Sequence, residues 1–321
     1  MAQEQLGTAG MTLGMKQFYN KLLLSRRLPK AFHLQFGRKD AIPRNGGRSM
    51  EWRRYTRPGS TTTALTQGSA GAETNLTVEN VAVTVDQYGA YTLHSEVLQL
   101  QNFDPWLVST TEVYREQMQL SLDSVVRNVM TAGTGLQYAS VAVTRGGASG
   151  VGSGMNFTFA EIREAVNTLR RDNAPEFDDG MYAGIIHPDT ERDMFGDSDI
   201  VQAMENAGER GDQNAMFTGR IPLFYGVKWL VTSQARVFTS TGLSQADVYG
   251  TIIFGKEYYG VVDYEALGAE MIVKAPGTVG GVDPLNMQGS VGWKAAIAAV
   301  RLDENRCVRV EHASTTGATG G

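Results

Sequence analysis

The fold follows from one stretch of the chain, residues 102–135, which reads NFDPWLVSTTEVYREQMQLSLDSVVRNVMTAGTG. Its apolar residues recur at intervals of three, four and seven, the spacing of one stripe on a helix. The stripe consists of Leu107, Tyr114, Met118, Leu122, Val125 and Val129, and it is widened by Val113, Leu120 and Val126. Asp104 can cap the first turn, Pro105 suits the first helical position and Gly133 suits the end. The pattern predicts a helix of about 27 residues, a rod on the order of 40 Å in length.

Composition excludes several classes of protein. The hydrophobic fraction of 42% supports real cores in one large domain or in two of ordinary size. A single cysteine, Cys307, excludes an internal disulfide framework and a multi-cysteine metal site, and it fits a reducing cytoplasm. The first ten residues lack the pattern of a signal peptide, and charges such as Glu112 and Arg115 interrupt the long helix. We therefore expect neither standard export nor a membrane span.

Charge is distributed unevenly along the 321 residues, whose net charge is −5. Residues 1–57 contain 12 Lys and Arg against 3 Asp and Glu, a net of +9 that leaves −14 for the rest. Pro29, Pro43 and the pair Gly46-Gly47 interrupt any helix in the basic part. We expect an extended basic arm that lies on a protein neighbour; nucleic-acid binding and a merely solvated surface are the alternatives.

Between the arm and the long helix, the pattern changes to that of strands. Residues 48–57, RSMEWRRYTR, carry β-type side chains, and Val81, Val83 and Val85 alternate strictly further on. Residues 58–75 between these segments have hardly any core-forming side chain. The prediction is a long two-stranded hairpin with a flexible tip, which is marginal alone and therefore packs on its own body or on another subunit. Interfaces favour aromatic and Arg anchors, and the first strand offers Trp52, Arg53, Arg54 and Tyr55.

The remainder of the chain predicts a mixed section followed by returning strands. Thr158 and Glu161 form a capping box in front of a second helix, which residues 173–175 stop. The apolar run at 181–186, MYAGII, then predicts a buried strand. Residues 189–212 hold eight acidic and two basic residues, a net of −6, and are expected to pair with the basic arm of a neighbouring copy. The order of elements predicts an α+β fold with two outlying extensions.

No motif in the sequence marks a catalytic, cofactor or metal site. The Gly-rich loop at 146–158 contains Gly150-Val151-Gly152-Ser153-Gly154, which is neither G-x-G-x-x-G nor a P-loop. His187 and its acidic neighbours lack the spacing of a helical zinc site or a calcium loop. Cys307 lies within a predicted strand and is interpreted as a small core residue. We therefore expect no catalytic residues, no cofactor and no metal ion, which favours a role in assembly.

Several short motifs together resemble one family, over about residues 30–312. The family is the major capsid proteins of tailed bacteriophages with the Hong Kong 97-type fold, and most closely the N-four-like branch. The motifs are Gly37-Arg38, Ile42-Pro43, Glu51-Trp52-Arg53-Arg54-Tyr55, Gln87-Tyr88-Gly89, Asp104-Pro105, Asn173-Ala174-Pro175, Ile186-His187-Pro188, Tyr225-Gly226-Val227 and Gly292-Trp293-Lys294.

The resemblance implies a division of the chain and a set of contact residues. The implied parts are an N-terminal arm (1–47), an extended loop (48–100), the spine helix of a peripheral domain (101–134), an axial domain (135–265), peripheral strands (266–312) and a flexible tail (313–321). The expected inter-subunit residues are Arg26, Arg27, Phe32, Arg38, Trp52, Arg53, Arg54 and Tyr55. No catalytic residues come with the family.

The resemblance also implies partners. It predicts pentamers and hexamers that close into an icosahedral shell around double-stranded phage DNA, without sequence-specific binding. A separate scaffolding protein and a portal protein are expected, with a decoration protein as a further candidate. The protein would reside in the virion after assembly in the bacterial cytoplasm. Two alternatives stay open: a nanocompartment shell of the same fold around a protein cargo, and a nucleotide-binding enzyme that uses the loop at 146–158.

Overall fold

The computed structural model describes residues 31–65, 67–68, 71, 73–101, 106–206, 223–265, 268–276, 285 and 287–315. The helices within these ranges are α1 (Glu96–Gln101), α2 (Trp106–Met130), α3 (Phe159–Arg171), α4 (Pro188–Phe195) and α5 (Ser198–Asn206). The strands are β1 (Arg38–Ile42), β2 (Ser49–Tyr55), β3 (Val78–Thr84), β4 (Asp86–Ser95), β5 (Leu136–Tyr138), β6 (Tyr182–Ile186), β7 (Leu223–Phe224), β8 (Val227–Val231), β9 (Arg236–Phe238), β10 (Val248–Phe254), β11 (Tyr259–Tyr264), β12 (Glu270–Lys274), β13 (Gln288–Arg301) and β14 (Cys307–His312). The predicted α+β class is confirmed.

The long helix predicted from the apolar stripe is α2, which has 25 residues. The expected capping residues Asp104 and Pro105 lie outside the described residues. The helix ends at Met130, three residues before the Gly133 that the sequence suggested. Burial is concentrated in the C-terminal half, where Val126 and Met130 are enclosed, whereas Val113 is 44% exposed. The second half of the helix therefore supplies most of its core contacts.

A five-stranded sheet is organised around β13. β4 pairs with β13 antiparallel over ten residue pairs, from Ser95 opposite Gln288 to Asp86 opposite Ile297. β11 and β12 also pair antiparallel with β13, at its C-terminal and N-terminal halves, and β1 extends the sheet parallel to β11. α2 packs on the sheet, and Trp293 on β13 donates its Nε1–H to Gln117 Oε1 at 3.2 Å.

The predicted hairpin consists of β2 and β3, with Ser49 opposite Thr84 and Tyr55 opposite Val78. It ends earlier than the range 48–100 expected from the sequence. Val85 is buried in a cluster with the hairpin base, and from Asp86 onward the chain pairs with β13 in the five-stranded sheet. The segment after Val85 belongs to the body because its backbone groups are satisfied there.

A seven-stranded sheet is the largest sheet of the described residues. Its order is β5-β14-β10-β6-β8-β7, with β9 paired to β10. β6 is buried at all five positions, as its apolar run predicts. The main core lies between this sheet and the helices α3, α4 and α5, and it includes Leu169, Met194 and Ile253.

Two strands pair across residue 265, the boundary between the expected axial range and the expected peripheral strands. β11, assigned to the axial range 135–265, pairs with β1 and β13. β14, assigned to the peripheral strands 266–312, pairs with β5 and β10. Both strands are almost wholly buried, so their apolar pattern carries no signal of which neighbour they join.

The start of α3 yields a test of the fold. The predicted capping box is present, with the Glu161 carboxylate accepting from the Thr158 N–H at 3.0 Å and from the Ser140 N–H at 3.1 Å. Glu161→Ala leaves these donors without a partner, and we expect a loss of about 2 kcal/mol in the free energy of unfolding. Urea denaturation measures it.

Glu164→Ala is the matched control, because Glu164 is exposed on the same helix. It should change stability by less than about 0.5 kcal/mol. Equal losses in the two variants would contradict the capping role of Glu161.

Candidate inter-subunit surfaces

The expected contact residues fall into three groups. Arg26 and Arg27 lie outside the described residues. Phe32, Arg38, Trp52 and Arg54 are engaged, to different degrees, with their own chain. Arg53 and Tyr55 are turned outward.

Trp52 fastens the base of the hairpin to its own body. Its Nε1–H donates to Asp40 Oδ2 at 2.7 Å. Its ring lies over Gly260 on β11, where a Cβ atom would come within 2.8 Å of Trp52 Cη2. The ring can lie this close because position 260 has no side chain. The structure thus gives Trp52 a role within the subunit that its residue type alone did not indicate.

Arg54 and Arg38 take part in an ionic network at the same junction. Arg54 Nε donates to Glu79 Oε2 across the hairpin at 2.7 Å, and its Nη1 reaches Asp303. The hydrogen bond to Glu79 is the main cause of the raised pKa of Arg54. Arg38 Nε donates to Asp40 Oδ2 at 3.0 Å. These groups line a cleft of about 350 Å³ between the hairpin base and the body.

Arg53 and Tyr55 remain available at the surface. The Arg53 side chain is 69% exposed, and its one ion pair within the described residues is with Glu51 on its own strand, at 3.4 Å. Tyr55 is 73% exposed. Beyond them the hairpin has no cover, since every described residue from 53 to 80 is exposed. Leu65 and Leu76 are 75% and 64% exposed, so the described distal hairpin adds no buried residue to the core of its own subunit.

A buried polar contact at His33 anchors the arm to α2. The His33 N–H donates to Asp123 Oδ1 at 2.9 Å, and His33 Nδ1 lies 2.7 Å from Asp123 Oδ2. Both side chains are fully buried, and the Tyr259 hydroxyl donates to the His33 carbonyl. Phe32 is half-buried beside this contact. The one signal of this burial in the sequence is the position of Asp123 between Leu122 and Val126 on the apolar stripe.

An open sheet face lies beside the hairpin base. Tyr91 on β4, Gly292 on β13 and Ile272 on β12 are direct partners in the two ladders and share one face. Tyr91 is 73% and Leu93 is 51% exposed. With Gly292 as a flat floor, these residues line a depression of about 480 Å³, which we call the open face.

The Gly-rich loop at 146–158 does not present a free phosphate cradle. An anion site at the start of α3 needs the N–H groups of the first turn. The Thr158 N–H is bonded to Glu161, and the Phe159 N–H donates to Asp197 Oδ2 at 2.7 Å. Two carboxylates of the chain therefore occupy the positions that a phosphate would take.

His187 and His312 make contacts that stabilise the fold of their own chain. His187 caps α4, accepting from the Asp189 N–H at 3.2 Å, and burial lowers its pKa. His312 is fully buried, with Nε2 at 2.9 Å from the Thr251 hydroxyl. Within the described residues, no group of His, Cys, Asp or Glu side chains could hold a metal ion, and no helix is long and apolar enough to cross a membrane. Burial raises the pKa of the Cys307 thiol to about 12, in keeping with its predicted place in the core.

The spine helix on a β13-centred sheet, the second sheet and the protruding hairpin define the Hong Kong 97-type fold of phage capsid shells, as the sequence predicted. The chain is similar to the cyanophage Pam1 capsid asymmetric unit, with a TM-score of 0.73, 14% identity and coverage of 98% of this chain and 99% of that one. For the capsid of the cyanophage P-SCSP1u, the TM-score is 0.72, the sequence identity is 13%, and 96% of each chain is covered. For the capsid of Helicobacter pylori bacteriophage KHP30, the TM-score is 0.72 and the sequence identity is 9%, with 98% of this chain and 99% of that chain covered. No protein-family model and no curated protein matches the sequence.

The buried His312 predicts an acid-sensitive stability. Burial, as the main cause, lowers its pKa to about 4, against an ordinary value of about 6.5 in the unfolded chain. Below pH 6.5 the unfolded chain therefore takes up a proton that the folded chain does not. Stability from this group is complete above pH 6.5 and is lost progressively down to pH 4, by about 3 kcal/mol in all.

His312→Gln removes this titration while keeping a side chain that can bond Thr251. Chemical denaturation between pH 4 and pH 7 should show a shallower fall of the free energy of unfolding in the variant. Parallel pH profiles for the two proteins would contradict the assignment.

Proposed function

We propose that this chain is a major capsid protein, which assembles as pentamers and hexamers into an icosahedral shell enclosing double-stranded phage DNA. The observation that carries the proposal is the likeness to capsid structures over nearly the whole of both chains. The role is structural, and the proposal includes no catalytic residue. A separate scaffolding protein, a portal protein and a decoration protein are proposed partners, and the virion is the proposed location.

The uncovered hairpin supports assembly. A two-stranded hairpin with no apolar face buried is at best marginally stable in water. Its exposed Leu65 and Leu76 need apolar cover that their own subunit does not supply within the described residues. We propose that the distal hairpin lies on an adjacent copy, and that the open face around Tyr91 and Ile272 receives it.

Multivalency explains how such contacts hold a shell. The arm and the hairpin each reach a neighbour, so one subunit makes several weak contacts with different copies. Once subunits close into a ring, the loss of one contact leaves the others in place, and the effective concentration of the broken pair stays high. Contacts of modest strength therefore suffice for a closed particle.

Negative-stain microscopy and light scattering on the purified full chain, with and without a co-expressed candidate scaffolding protein, test the proposal. Closed shells, or rings of five and six, are expected. A monomer under both conditions would overturn it, and nucleotide binding by that monomer would indicate an enzyme. Closed particles that lack DNA and retain a co-purified protein would indicate a nanocompartment shell and not a capsid.

The exposed pair at the hairpin predicts a defect confined to assembly. Arg53→Ala with Tyr55→Ser should lower the yield of closed particles at least about tenfold, because aromatic and Arg side chains are the usual anchors of interfaces. Thermal unfolding of the unassembled subunit should be unchanged, since both side chains are exposed. Arg54 is left intact because its bonds to Glu79 and Asp303 brace the hairpin itself.

Arg163→Ala, an exposed arginine on α3, is the control and should assemble normally. A normal yield from the double variant would remove Arg53 and Tyr55 from the interface.

A further inference from the structure

Two arginines near the C-terminal end of α2 share one neutral acceptor. Arg127 on α2 donates Nη1 to the Gln234 carbonyl at 2.9 Å and Nη2 to Asn128 Oδ1 at 3.4 Å. Arg236 on β9 donates Nη1 to the same Asn128 oxygen at 3.3 Å. Neither arginine forms an ion pair within the part of the chain that the structure describes. Two guanidinium groups thus converge on a single amide oxygen.

The hydrogen-bonding capacity of this pair is not satisfied within the described residues. The Nε atoms of both arginines are buried and have no hydrogen-bond partner there. Burial, and next to it the charge of Arg236, lower the pKa of Arg127. Like charges held this close are unfavourable unless an anion neutralises them. An anionic group at this pair would therefore neutralise the two like charges and accept hydrogen bonds from them.

Two buried carboxylates, those of Glu311 and Asp123, are bonded to other groups. Glu311 accepts from Arg145 Nε at 2.7 Å and pairs with Arg309 at 2.9 Å. Asp123 is bonded to His33, and its charge only partly offsets the lowering of the Arg127 pKa. The Phe238 ring holds the Arg236 guanidinium at 5.0 Å from its centroid, which limits the freedom of that side chain to seek another partner. Arg127 and Arg236 thus leave an excess of positive charge where α2 and β9 meet.

We propose that Arg127 and Arg236, which we call the cationic pair, bind carboxylates of a second copy of this chain, supplied by α5. This inference rests on the proposed assembly. Asp199 and Glu205 are exposed on α5 and form no ion pair within the described residues, in a segment, 189–212, with a net charge of −6. Identical copies that carry both surfaces can meet head to tail, which is the kind of contact that closes rings.

Phosphate groups of DNA are the other anions that such a pair could bind. The net charge of the chain is −5, and of this −14 lies outside residues 1–57. An acidic body repels DNA at long range. In the proposed shell, by contrast, the other contacts between copies hold an acidic helix close to the pair. The charge distribution therefore favours carboxylates.

Compensating charge reversal in the full chain tests the proposal. Arg236→Glu alone, and Asp199→Lys with Glu205→Lys alone, should each lower the yield of closed particles at least about tenfold. The three changes combined should restore the yield to within about threefold of the unaltered protein. Arg163→Glu, a reversal on an exposed part of α3, should assemble normally. Yield is measured by light scattering and electron microscopy, with circular dichroism as the check on folding.

The outcomes separate this inference from the proposed function. Normal assembly of Arg236→Glu, or failure of the combined variant to recover, overturns the inference while the assembling protein keeps its proposed function. Normal assembly with loss of DNA from the particles would assign the pair to phosphate and also overturn it. If the unaltered chain never assembles, both fall together. Should Arg236→Glu misfold, Arg236→Gln keeps amide donors without the charge and must still lower the yield.

Discussion

The hydrogen bonding of β13 is the constraint on which the rest of the structure depends. This 14-residue strand pairs with β4 along one edge and with β11 and β12 in succession along the other. Because side chains alternate along a strand, Trp293 faces α2, whereas Ala296 and Ala298 join the cluster that contains Trp52. One strand thus determines where the spine helix lies, where the hairpin is rooted and where the open face begins.

Both extensions are rooted firmly in the body, and the described hairpin runs outward from its root without cover. The arm is held at His33 by the buried Asp123 and by the Tyr259 hydroxyl. The hairpin is held at its base by Trp52 and Arg54, and beyond Arg54 every described residue up to position 80 is exposed. Such an arrangement places an unsatisfied surface at a defined position, which suits binding between copies better than folding of one copy.

Charge follows the same plan. At the hairpin root, Arg38 and Arg54 have carboxylate partners in their own chain. Within the described residues, Arg127 and Arg236 form no ion pair with a carboxylate, and Asp199 and Glu205 form no ion pair with a cation. Exposed ion pairs contribute only about 0–1 kcal/mol each, so their value to one subunit is small. In the proposed shell, such pairs repeat at every equivalent contact and determine which surfaces meet.

The sequence alone predicted the spine helix, the α3 capping box, the buried strand β6 and the hairpin, because a helical stripe, a cap, an apolar run and strand alternation are local patterns of three to 27 residues or so. It did not indicate which sheets β11 and β14 join, that Trp52 lies against its own subunit, or that Asp123 is buried. Only the tertiary structure decided those points. The partners concerned, such as His33 for Asp123, are far away along the chain, 90 residues in that case, and a local pattern carries no information about which distant groups will share a buried site.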